Sequence, residues 1–202
     1  MTLRKLLRST RRVDPAFFNR PAAQVARELL GQYLIHQLEG CNLAARIVET
    51  EAYLGSGDPA AHSARGLTER TRVLFGPPGH AYVYLIYGMH ECLNLVTDPA
   101  GQAGCVLIRA LEPVCGIEEM QRRRPKAKRL RDLASGPGKL TQAMGITREH
   151  YGADVTRGPL RVRLPKSPET FEVQTAPRIG ISVSRELRLR FFINANPHVS
   201  VR

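Results

Sequence analysis

The sequence predicts an α+β fold with an antiparallel sheet, and three observations carry that expectation. Short β-forming runs follow one another with turn residues between them. Two of them, AYVYLIY at 81–87 and HECLNLV at 90–96, flank a turn that Gly88 permits and read as a hairpin. Helical stretches are mixed with the strands, and neighbouring strands are joined by hairpins. At 202 residues, with no repeat and no linker, the chain is expected to form one domain over 13–202. A basic arm precedes it at 1–12, and its order is left open.

Each element has its own signal. Residues 14–31 open with turn residues, and Val25, Leu29 and Leu30 then recur at helical spacing before Gly31, giving a helix over about 21–30. Residues 32–38 and 43–54 read as strands. On a regular strand Ile47, Glu49, Glu51 and Tyr53 share one face, and Val48, Thr50, Ala52 and Leu54 the other. Residues 55–80 form a long connection rich in Gly, Pro, Ser and Thr, and such loops are often functional. The hairpin follows, with Tyr87, Gly88 and Met89 at its tip, then a strand over 104–111 with Leu107 and Arg109 on one face. Residues 116–132 are helix-like, densely basic and broken by Pro125; 135–146 turn through Gly and Pro into an amphipathic helix. Residues 152–177 are turn-rich with short strands, and RIGISVS and LRLRFFINA read as closing strands.

The formal net charge of +12 points to a polyanionic partner, and the accompanying stackable rings favour nucleic acid. No apolar run approaches the roughly 20 residues that span a bilayer, so no membrane partner is expected. The basic start lacks a secretory apolar segment and weakly resembles an organelle transit peptide; a short arm on a cytoplasmic protein is preferred. Cys41, Cys92, Cys105 and Cys115 lack metal-ligand spacing, so no metal is expected, and the last three read as reduced core side chains.

Glu51 is the leading candidate for chemistry. A Glu among apolar strand residues is depleted by propensity, so it is either a solvated face or a general base in a cleft. Glu49 shares its face, and pattern alone does not choose between them. Tyr53, His62 and Tyr84 are candidates for an aromatic slot around an extruded base, against the plainer reading of core packing. Tyr87 at a hairpin tip is either a turn aromatic or a wedge inserted between base pairs. Arg109 on an apolar strand calls for a carboxylate partner, Glu51 or Glu49. SGPGKL at 135–140 lacks phosphate-loop spacing, and no dinucleotide or G-x-S-x-G fingerprint occurs.

These residues, taken with their order along the chain, resemble the alkyladenine (3-methyladenine) DNA glycosylase family. The resemblance runs from FFNRPAAQVARELLG through RIVETEAYLG, AAHSARG, GHAYVYLIYGMHECLN, GCVLIRALEP, SGPGKLTQAMGI and PRIGI to RFFINANPHVS, nearly the whole chain. ETEAY, AAHS and YVYLIYGM in this order are far more specific than any single motif. The resemblance implies a single mixed domain with a curved antiparallel sheet, flanking helices and a protruding hairpin that enters the DNA minor groove. It implies a monofunctional glycosylase, without metal or cofactor, that flips and hydrolytically excises 3-methyladenine, 7-methylguanine or hypoxanthine from double-stranded DNA in base excision repair. The protein would be a monomer, nucleoid-associated if bacterial.

By resemblance Glu51 is the base for the attacking water, and Arg109 and the backbone carbonyl of Ile179 help hold that water. Tyr53 and His62 stack on the flipped base, Tyr84 closes the pocket edge, and the His62 backbone N–H contacts the purine 6-position. Asn94 lies where the guanine 2-amino group is tolerated or refused. Tyr87 is the intercalating wedge, Met89 lies on the DNA-facing tip, and Lys139 and Ser200 serve phosphate or structure. The chain departs from the pattern at His90 and Glu91, where vertebrate relatives carry aromatics, and at Ala195, where Gly is usual. The competing readings are a non-catalytic basic nucleic-acid-binding module and a nucleosidase acting on a free nucleoside.

Overall fold

The structure, a computed structural model, describes residues 1–200; the expected domain's last two residues, 201–202, lie outside the described residues. Among these described residues nine strands form one open sheet: β1 (Thr10–Arg12), β2 (Tyr33–Leu38), β3 (Cys41–Tyr53), β4 (Ala81–Ile86), β5 (His90–Thr97), β6 (Gly104–Cys115), β7 (Leu160–Pro165), β8 (Val173–Ala176) and β9 (Arg190–Ile193). The order is β1-β7-β2-β3-β6-β5-β4, with β9 on β3 and β8 on β9, and every pairing is antiparallel. Among the described residues four α-helices accompany it: α1 (Leu3–Ser9), α2 (Ala22–Glu28), α3 (Ile117–Arg123) and α4 (Pro137–Met144). The α+β class, the single domain and the antiparallel sheet expected from the sequence are what the chain forms.

The main core lies on one sheet face. Val25, Ala26 and Leu29 from the α2 region and Leu140, Ala143 and Met144 from α4 pack there against Ala45, Ile47, Val48 and Ala52 of β3. The opposite face carries a small cluster of Leu6, Ile35 and Ala44 under α1, and the aromatic cluster around Tyr82 and Cys105. The basic arm is therefore built into the fold. Thr2 caps α1 by accepting from the Lys5 amide, Leu6 is buried, and β1 pairs with β7.

Three expectations change. RIGISVS is not a strand: Pro177 withholds an amide, Gly180 sits at φ +79°, and 178–184 run as a loop. The closing strand shortens to β9. In β3 the pairing with β6 shifts between Ile47 and Thr50, so Ile47 and Val48 both enter the main core. Ile47 thus leaves the face shared by Glu49, Glu51 and Tyr53.

Far from that face, His36 on β2 is buried, and its Nδ1 lies 2.8 Å from the Met144 carbonyl. A carbonyl only accepts, so the proton is on Nδ1 and Nε2 accepts from His150 Nε2, 3.0 Å away. His150 Nδ1 in turn accepts from the Thr147 amide. Burial, then the neighbouring His150 and Arg123, hold the His36 pKa below its ordinary 6.5, and the Met144 carbonyl only partly offsets them. A depressed imidazole stabilises the fold fully above the unfolded pKa of about 6.5, and that contribution is lost as pH falls through the folded value. Urea unfolding from pH 8 to 5 is expected to show stability falling below about pH 6.5, with a shallower fall in His36→Gln.

Candidate active site

The irregularity in β3 sets the site. Beyond it Thr50 faces the core, where its hydroxyl donates to the Ala26 carbonyl, while Glu51 and Tyr53 face away from it. Glu51 is fully buried. Its Oε1 accepts from the Ile179 amide at 2.8 Å and lies 3.3 Å from Arg109 Nη1, and its Oε2 accepts from the Tyr53 hydroxyl at 3.2 Å. The Ile179 group on the carboxylate is the N–H; the resemblance had given the carbonyl of that residue a role in holding water. Burial raises the Glu51 pKa, with Glu49 adding to the rise; Arg109, the Ile179 amide and the Tyr53 hydroxyl restrain it.

Glu49 has a different environment. Its Oε1 accepts from Arg190 Nη1 at 2.9 Å and lies 3.5 Å from Arg109 Nε, and its Oε2 accepts from the Ser200 amide at 2.7 Å. Arg109 thus bridges both carboxylates, whereas the sequence left the choice of one open. Ser200 ties the C-terminal segment to Glu49 through its backbone. Glu49 is spent on structure, while all three groups holding Glu51 belong to residues that line a cavity.

That cavity, about 490 Å³, is lined by Tyr53, His62, Tyr84, Asn94, Arg109 and Ile179 among others. Its size suits a small organic ligand. His62 sits edge-on to Tyr84 at 4.6 Å between ring centroids, and its Nδ1 is 2.9 Å from the Tyr82 hydroxyl. Asn94 is buried; its Nδ2 donates to the Tyr82 carbonyl, and its Oδ1 accepts weakly from the Cys105 thiol at 3.9 Å. Burial raises the Tyr53 and Tyr84 hydroxyl pKa values, so both stay protonated donors.

Tyr87 and Met89 stand at the hairpin tip, 79% and 71% exposed. Tyr87 has φ +52° and Gly88 φ +68°, and the Met89 amide closes the turn on the Ile86 carbonyl. Such a turn favours Asn-Gly, so a large aromatic there is costly both in backbone and in exposure. His90 and the α4 residues Pro137 and Gly138 also border the cavity, and Lys139 is exposed in the same α4 turn. Glu91 is paired with Arg148 at 3.3 Å, which reduces the repulsion that a bare carboxylate would offer a phosphate. Ala195 adopts φ +55°, a conformation that favours Gly, the residue the resemblance gives at this position.

Two residues escaped the sequence reading. Asp58 and Arg178 have fully buried side chains and form a bidentate pair: Arg178 Nη2 donates to Asp58 Oδ1 at 3.0 Å, and Nη1 to Oδ2 and to the Ala52 carbonyl. The guanidinium also lies 4.7 Å from the Tyr53 ring centroid. Arg178 therefore anchors the residue before Ile179 and braces Tyr53.

The methylpurine-DNA glycosylase family model matches residues 16–197. The chain belongs to that family. It is accordingly a DNA glycosylase, a hydrolase of N-glycosidic bonds. A relative from Methanoculleus marisnigri is 52% identical over 191 residues, covering 93% of this chain and 97% of its own. A Chlorobaculum parvum relative is 47% identical over 94% of this chain and 91% of its own, and one from Legionella pneumophila 43% identical over 98% and 99%. All three carry 3-methyladenine DNA glycosylase as a provisional name. Among the described residues of this glycosylase no helix is long and apolar enough to cross a membrane.

Proposed function

We propose that this glycosylase excises 3-methyladenine, 7-methylguanine and hypoxanthine from double-stranded DNA by flipping the damaged nucleotide into the cavity above Glu51. The observation that carries the reading is the Glu51 carboxylate, buried under the cavity floor and held by three groups of cavity-lining residues. An ionised Glu51 there deprotonates a water and stabilises the positive charge that builds on the sugar as the bond breaks. Arg109 and the Ile179 amide favour its ionised form against burial and aim it. Tyr53, His62 and Tyr84 give the extruded base the flat contacts it loses on leaving the stack, and an alkylated, electron-poor purine gains most from them. Among the described residues no lysine lines the cavity, which supports direct hydrolysis without strand cleavage.

Tyr87 supplies the wedge. A strained, exposed aromatic lowers stability and is retained for what it does outside the fold. Tyr87→Asn is expected to hold or raise the melting temperature while weakening binding to a lesion-bearing duplex about tenfold or more, the scale of stacking on one base. Unchanged lesion affinity, measured by fluorescence anisotropy, removes the wedge role.

A further inference from the structure

Four side chains meet at the cavity wall. The Arg70 guanidinium lies 5.0 Å from the Tyr84 ring centroid. The Tyr82 hydroxyl is 2.9 Å from His62 Nδ1, and the His62 ring abuts both Tyr82 and Tyr84 edge-on. Among the described residues His62 Nδ1 is the hydrogen-bond partner of the Tyr82 hydroxyl, and the proton of a buried hydroxyl needs an acceptor. That proton is therefore directed at His62 Nδ1, which must present a lone pair.

We propose that Arg70 and Tyr82 are positioning residues that hold the His62 imidazole neutral, with its proton on Nε2. This rests on the reading that His62 stacks on the extruded base. An imidazolium would turn Nδ1 into a donor facing Tyr82. Tyr82 is 1% exposed, and its hydroxyl proton would then lose its acceptor. The charged groups acting on His62 are Arg65, on its own turn, and Arg70, from the loop that follows. Tyr82 and Tyr84 face it from β4, and Tyr53 and Cys105 from elsewhere in the cavity lining. Burial, then Arg70 and Arg65, push the imidazole down to about 4, while burial pushes the Tyr82 hydroxyl up to about 12.

The consequence is selectivity by charge. A purine alkylated at N3 or N7 is itself cationic, and an imidazolium against it would repel the substrate. A neutral lesion would be indifferent. The arrangement keeps the wall uncharged through the range where free histidine titrates.

The test begins with ¹⁵N NMR of the His62 ring in the full chain without DNA, titrated from about pH 8 to 4 across the histidine range. Wild type is expected to show an unprotonated Nδ1 and a protonated Nε2, and to stay predominantly neutral to about pH 5. Arg70→Gln is expected to raise the His62 pKa toward 6.5, and Tyr82→Phe to mix the tautomers. A protonated Nδ1 in wild type, or an unmoved pKa in Arg70→Gln, overturns the proposal. Single-turnover release at saturating enzyme then compares 7-methylguanine with hypoxanthine at about pH 5.5 and 8, either side of the ordinary histidine pKa. Arg70→Gln is expected to lower the cation-to-neutral ratio about threefold or more at the lower pH only. A ratio that does not move with pH overturns the selectivity claim. Absence of any release by wild type would instead sink the glycosylase assignment of this cavity and leave the NMR result standing.

Discussion

Glu51→Gln is expected to abolish base release, by about a thousandfold or more, without loss of stability. Removing a positioned general base costs about 10²–10⁴ in rate, and loss of the charge opposite the developing cation adds to it. The glutamine Oε1 still accepts from the Ile179 amide, and its amide group faces the Tyr53 hydroxyl, which can turn to accept. Arg109 keeps Glu49. Because burial raises the Glu51 pKa, the ionised form is held at a cost in folding free energy. A carboxyl group with a raised folded pKa contributes stability below its unfolded pKa and loses it as pH rises through the folded value. At neutral pH the uncharged glutamine avoids that cost. The variant should melt at or above the wild-type temperature and still bind lesion DNA. In wild type the same shift places the acid limb of the rate profile above the ordinary 4.5 of a glutamate. A variant that both unfolds and loses activity would make Glu51 structural.

The largest expected stability effect lies at Asp58 and Arg178. Removing one partner of a buried, bidentate pair strands the other charge, at a cost of about 3–5 kcal/mol. For a chain of this size that lowers the melting temperature by roughly 10 °C. Asp58→Ala and Arg178→Ala should each show it. The double variant should lose clearly less than the sum, since each single change leaves the same pair broken. Burial by itself would raise the Asp58 pKa, but the Arg178 guanidinium and the Leu54 and Ala60 amides outweigh it and hold it below 3.8. Its contribution is therefore present above about pH 3.8 and is lost as pH falls through the lower folded value. Equal losses in single and double variants would fit the pair; strictly additive losses would not.

The contrast between these two sites shows what the sequence makes legible. Glu51 and Arg109 stand out locally, because a charged side chain on an apolar strand asks for a partner. The hairpin is equally local: β-forming runs on both sides of Gly88 define it, and the exposed tip follows. Asp58 and Arg178 lie 120 positions apart in loops, where a charged residue is ordinary and no periodicity marks it. The segment 178–184 has strand-like composition, yet Pro177 and Gly180 interrupt it, and its contribution is one amide aimed at Glu51. The choice between Glu49 and Glu51 was illegible for the same reason. It depends on Arg190 and on Ser200, contributed from β9 and beyond. The helix at the N-terminus did carry a signal: Leu3, Leu6 and Leu7 recur at helical spacing behind the capping Thr2, but the surrounding charge made the segment read as an arm.

The central claim is that the cavity above Glu51 hydrolyses the glycosidic bond of a damaged purine in duplex DNA. Its most direct test is base release by the wild-type protein from matched duplexes, one undamaged and three bearing 3-methyladenine, 7-methylguanine or hypoxanthine. Release of the free base from the damaged duplexes, with the strand left intact and the undamaged duplex untouched, is the predicted result. Binding of all four duplexes alike with no base released would contradict it and leave a basic module that holds nucleic acid without acting on it.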